Sequence, residues 1–125
     1  MGAVGATVVT GLRAQPPSFT ETPLLGTDLA GVPGKGLMVS RLVTAPSWAH
    51  GRHYHAGDEL VYVLESSAIL EVEGKPPVTL GAGDVAYMPP RQIHAGWNAS
   101  ATAPFTFVLI RIQEKGQAIS VELGS

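Results

Sequence analysis

The chain has 125 residues, enough for one domain with a modest core. Apolar residues make up 45% and charged residues 14%, which excludes an intrinsically disordered chain. A formal net charge of −2 without a basic run leaves no footprint for nucleic acid, zero cysteines remove disulfides and thiolate ligands, and no apolar run is long enough to span a bilayer.

The chain opens with "AVGATVVTGL" (3–12), uncharged and apolar, then Arg13 and the loop-like "AQPPSF". This composition fits the back half of a signal-peptide apolar region, or a flexible or edge-strand tail. The first reading places the protein in the periplasm or outside the cell, the second in the cytoplasm. Residues 13–36 are rich in Pro and Gly and read as an extended arm. Residues 1–36 are therefore set apart from the folded body.

From residue 37 the signals become those of strands. They run "LMVSRLVT" (37–44), "ELVYVLE" (59–65), "AILEVEG" (68–74), "PVTL" (77–80), "DVAYM" (84–88) and "FTFVLIRI" (105–112). Each is rich in Val, Ile, Leu, Tyr or Phe and bounded by turn residues. Fifteen glycines and ten prolines cut the chain into pieces too short for a helical period. Closely spaced strands with turns between them predict an antiparallel sandwich or barrel. Residues 114–125 form a C-terminal tail or an added edge strand.

Three of the four histidines fall between positions 50 and 55. Side chains alternate along a strand, so His53 and His55 share a face and Tyr54 points away. "AGD" (56–58) is a turn signal, so Glu59 can begin a returning strand beside them. Counting back along the strand puts His50 on the opposite face. Imidazoles with a carboxylate suit Mn, Fe, Co, Ni, Cu or Zn, and the lack of thiolates argues against a structural zinc cage. The fourth histidine, His94, lies in "GAGDVAYMPPRQIHAGWN" (81–98).

Together the two stretches resemble the motifs of the cupin superfamily. His53, His55 and Glu59 fit the first motif with its spacing. Gly83, Pro89, His94 and Asn98 fit the second position by position. Ser47, Ser66 and Arg91 stand where the motifs have glycine. A non-glycine residue at positive φ costs on the order of 1 kcal/mol, so the loops at the barrel mouth are expected to depart from the family's shape. Arg91 is read as a solvated loop arginine. Asn98 either sits near the site or caps a strand end.

The resemblance implies an all-β fold, a single-domain cupin jelly-roll β-barrel with a metal inside. It implies one divalent transition metal (Fe, Mn, Ni, Cu, Co or Zn) held by His53, His55, Glu59 and His94. One hairpin would supply the first three donors and a distant strand the fourth. Val61, Val63 and Gly96 would point inward. Tyr62, Trp97 and the strand 105–112 would offer an outer apolar surface for a homodimer. Four protein ligands leave open coordination positions, as catalysis requires. The expected function is a metal-dependent oxidoreductase of dioxygenase type on a small organic molecule, with Glu59 also able to act as a catalytic base. The alternatives are a metal-dependent isomerase or lyase, a non-catalytic module that binds a small ligand or metal, and a protein whose metal only stiffens the barrel. Neither a nucleic acid nor a membrane partner is expected.

Overall fold

Short β-rich segments broken by Gly and Pro have one stable outcome, strands that pair with segments distant in sequence. The structure, a computed structural model, describes residues 18–124. The apolar opening stretch (3–12) lies outside the described residues. Ten strands follow in chain order: β1 Phe19–Asp28, β2 Lys35–Thr44, β3 Ala49–Tyr54, β4 Asp58–Glu65, β5 Ser67–Val72, β6 Val78–Gly81, β7 Val85–Met88, β8 His94–Asn98, β9 Phe105–Glu114 and β10 Val121–Gly124. No helix occurs among the described residues. All pairings are antiparallel. They build one sheet in the order β1-β2-β9-β4-β7 and a second in the order β10-β3-β8-β5-β6. This is the expected jelly-roll sandwich.

Two expected outer segments take part in these sheets. β1, within the stretch read as an arm, pairs with β2 along its length. β10, at the C-terminal end, pairs with β3. Both are edge strands, and every residue of each is exposed.

Register arranges the barrel interior in layers. On β4 and β9 the inward pairs are Val63 with Phe107, Val61 with Leu109, and Glu59 with Arg111. The first layers belong to a core of Leu42, Val63, Ala68, Phe105, Phe107 and Leu109, with Val61 packed against it. Val63 is fully buried, and the Phe105 and Phe107 rings stack at 5.1 Å. Each such aliphatic side chain stabilises the fold by about 1.5–3 kcal/mol. The last layer changes from apolar to charged, so the core ends where the histidines begin.

The first correction to the sequence expectation concerns the hairpin. β3 and β4 do not pair; the chain crosses between sheets at residues 55–57. Gly57 makes that crossing possible. A Cβ there would lie 2.1 Å from the Ile112 carbonyl oxygen and 2.4 Å from Gln113 Cβ. His55 accepts a hydrogen bond at its carbonyl from the Arg91 amide (2.8 Å), which ties the crossing to the loop before β8.

The three residues found in place of motif glycines all have positive φ: Ser47 at 63°, Ser66 at 67° and Arg91 at 64°. The turns keep their shape, and the serines and arginine bear the conformational cost. Arg91 is exposed, as expected. Asn98 is buried and organises a loop: its Nδ2 donates to the carbonyls of Ala45 (3.1 Å) and Ala103 (2.8 Å), and its Oδ1 accepts from the Ser100 amide (2.9 Å). Of its two readings, the strand-end cap is the one observed.

Gly57→Ala is expected to destabilise the protein by at least about 2 kcal/mol, because the neighbour is backbone and cannot swing aside. Gly26→Ala, where nothing lies within 4 Å, should stay within about 0.5 kcal/mol of the parent. Urea denaturation of both variants checks the contrast.

Candidate metal centre

The site is built from two strand ends in one sheet and one strand start in the other. His53 sits near the end of β3, opposite His94 at the start of β8. His55 follows β3 directly, and Glu59 is the second residue of β4. All four are buried, at 3–5% exposure. Side chains this polar are rarely so buried unless they serve each other or an ion.

Each ring is held by its Nδ1 on a backbone carbonyl. His53 bonds to Gly51 (2.6 Å), His55 to Ile119 (2.6 Å) and His94 to Gln92 (2.9 Å). A carbonyl only accepts, so Nδ1 carries a proton in all three, and Nε2 is the nitrogen left to take either a metal ion or a second proton. Ligand atoms of the three rings lie within 4.8 Å of one another. Glu59 Oε1 stands 3.1 Å from His55 Nε2 and 3.3 Å from His94 Nε2. The structure thus brings the three predicted histidines together and sets Glu59 against two of them.

This donor set fits a divalent transition metal. His55 Nε2 is buried with no hydrogen-bond partner. Its contact with Glu59 lacks the alignment of a hydrogen bond. An unpartnered imidazole nitrogen facing a carboxylate and two further imidazoles is what a metal ion would satisfy, and the three carbonyls supply the orienting contacts that metal-binding histidines use.

His50 departs from its expected place. Between His50 and His53 the β3 chain carries one more residue than β8 opposite it. Such a bulge reverses the alternation of faces. His50 therefore stacks on His53, with ring centroids 3.6 Å apart and planes at 9°, and borders the cavity. Its Nε2 donates to Glu122 (3.0 Å). His50, His53 and Glu122 form a second group with metal-binding spacing. His53 has one free nitrogen, so the two groups compete for it, and Glu122 is exposed whereas the first group is buried.

Charges here shift proton affinities in opposite directions. Burial pushes the Glu59 carboxyl up. The adjoining His55 and His94 nitrogens and the charge of Arg111 outweigh this and hold it well below the usual carboxylate range. Burial lowers His53 to about 4, assisted by the charges of His50, His94 and His55 and opposed by its bond to Gly51. Burial also lowers His94, but Glu59 beside it reverses the sign and its net shift is upward.

The site opens into a cavity of about 390 Å³, within the range of small-molecule pockets. Leu42, Val61, Leu80, Met88 and Phe107 line it, with Phe19, Trp48, His50 and Ile119 among its further bordering residues. Trp97, expected outside, is half-buried and borders it too.

Sequence reasoning passed over Arg111, whose Nε lies 3.3 Å from Glu59 Oε2. A signal was present: in "FTFVLIRI" Arg111 has the same parity as Phe105, Phe107 and Leu109. A cation at the inward parity of an apolar strand marks a polar interior. The Ile119 carbonyl had no sequence signal at all.

The model of the cupin-domain family matches residues 40–111. That is more than half of the chain, and the protein belongs to the cupin family. No curated protein matches it. Among solved structures it is similar to a cupin-like protein of Thermotoga maritima, with 26% identity, 86% of this chain and 80% of that one covered, and a TM-score of 0.67. A cupin superfamily protein of Desulfitobacterium hafniense shares 18% identity over 82% of this chain and 84% of its own, with a TM-score of 0.64. The DMSP lyase DddQ of Ruegeria pomeroyi shares 24% identity over 83% of this chain, with a TM-score of 0.67; this chain spans 51% of that one.

Two outcomes test this geometry. In chelator, stability should peak near the ordinary histidine pKa. Below it, unfolded His53 binds a proton that the folded residue refuses down to about 4, so stability falls with pH. Above it, folded His94 holds a proton that the unfolded chain has released, so stability falls as pH rises. The acid limb should span about 1–2 kcal/mol, discounted for solvent at the rim, and His53→Asn should flatten it in urea titrations. Secondly, a chain ending at Gln117 removes the carbonyl that holds His55. Its metal affinity should drop about 10- to 100-fold by competition with a chelator, while the far-ultraviolet spectrum persists.

Proposed function

We propose that this cupin is a metal-dependent enzyme, an oxidoreductase of dioxygenase type acting on a small organic molecule with an apolar body. One observation carries the reading. Three imidazoles, each fixed by a carbonyl, turn their free nitrogens toward one point beside a 390 Å³ cavity with a mainly aliphatic wall. In this reading His53, His55, His94 and Glu59 hold the metal. The metal supplies Lewis acidity and, as iron or manganese, one-electron chemistry.

The chain's own residues bind and orient. The apolar wall excludes water and takes the body of the substrate. The His55 and His94 nitrogens, with a smaller contribution from Arg111, hold Glu59 in its anionic form, suited to a ligand and poorly suited to removing a proton. The base role expected for Glu59 is thus the weaker half of its assignment. Beyond the site, Tyr62, Val85 and Tyr87 are exposed on the outer face of the first sheet. They support the further proposal of a homodimer, which light scattering tests.

Protein purified without added metal is expected to retain about one transition-metal ion per chain. With a panel of catechols, diketones and flavonols it should consume oxygen. His53→Ala, His55→Ala and His94→Ala should each lose more metal affinity than the roughly 10- to 100-fold typical of losing a mere orienting group. His50→Ala should stay within about threefold, since its Nε2 is engaged by Glu122. Substrate cleavage without oxygen uptake would replace the oxidoreductase with a lyase, and absence of metal from active protein would overturn the reading.

A further inference from the structure

The proposed metal site accounts for Glu59 and the three histidines but not for Arg111. Its side chain is 13% exposed, and its Nε is buried without a hydrogen-bond partner. Its ionic contact is with Glu59 Oε2 at 3.3 Å, which lacks hydrogen-bond alignment. Glu59 turns its other oxygen to His55 and His94. Arg111 therefore brings a permanently charged planar donor group to the cavity border with its Nε–H lacking a hydrogen-bond partner.

Charge balance points the same way. Glu59 and Arg111 cancel, so a divalent ion in the site would leave two positive charges in a mainly apolar chamber. Glu21, the other acidic residue bordering the cavity, is exposed. A buried surplus of charge is costly unless an opposite charge enters with the ligand. The rest of the wall offers Leu42, Val61, Met88 and Phe107, which favour carbon over polar groups.

We infer that the cavity binds a small organic carboxylate, its acid group paired with the Arg111 guanidinium beside Glu59 and its apolar body against Val61 and Phe107. Guanidinium and carboxylate match as planar, two-point partners. The inference rests on the metal-enzyme reading and names its substrate class. It makes Arg111 a specificity-determining residue, distinct from a group that only positions Glu59.

Calorimetry on the full chain with measured metal content tests it, using hexanoate and phenylacetate, each beside its primary amide, and inorganic phosphate. At least one acid should bind about 10- to 100-fold more tightly than its amide. Arg111→Gln should lose that preference while keeping its metal and its amide binding, and Arg111→Lys should restore part of it. In the unaltered zinc-loaded protein, the Arg111 Nε–H resonance should shift with the acid and not with the amide, which holds the test open if the variants fail to fold. No preference for acid over amide, no such shift, or tighter binding of phosphate than of either acid overturns the inference. Arg111→Gln losing metal together with acid and amide binding overturns it in favour of a positioning role. An acid preference in protein that takes up no metal would sink the metal-enzyme reading and leave the Arg111 assignment standing.

Discussion

Three hydrogen bonds from histidine Nδ1 atoms to the carbonyls of Gly51, Gln92 and Ile119 set the chemistry of this protein. Without them each imidazole could rotate or exchange its proton between nitrogens, and no common point for three lone pairs would exist. The acceptors are backbone, so the constraint is as rigid as the sheet that carries it. Two acceptors lie two residues before the histidine they hold. The third comes from the stretch just before β10, so the segment leading into an exposed edge strand bears on a buried site.

The barrel supplies the remaining condition, a place where polar groups can be buried together. Inward pairs on β4 and β9 pass from Val63–Phe107 through Val61–Leu109 to Glu59–Arg111. The apolar layers form much of the cavity wall, and the charged layer meets the histidines on its border. Glu59 has histidine on one oxygen and arginine beside the other, and this explains how a carboxylate stays ionised at 4% exposure. The same pairing lowers its basicity, so anchoring and proton removal are in tension at this residue.

Much of this was legible in the chain. Alternating apolar runs and turn residues identified six strands, and the spacing of His53, His55, Glu59, Gly83 and His94 identified the family and the residues that the structure brings together. Ser47, Ser66 and Arg91 were readable as departures from glycine, but the reading that the loops change shape was overturned, because the backbone keeps positive φ at all three. The reading failed at His50. Parity counting assumes an unbroken strand, and a single extra residue in β3 reversed the face. It failed again at the supposed hairpin, because a turn signal reports a change of direction and not the sheet that receives the next strand.

Sequence alone determined six of the strands and the face shared by His53 and His55, since these depend on local backbone geometry over a few residues. Tertiary structure alone decided which carbonyl holds His55, which sheet receives Glu59, and that Arg111 faces it across β4 and β9. Those contacts join groups far apart in the chain, 64 residues in the case of His55 and Ile119. They follow from register and from crossings such as Gly57, which no local pattern encodes.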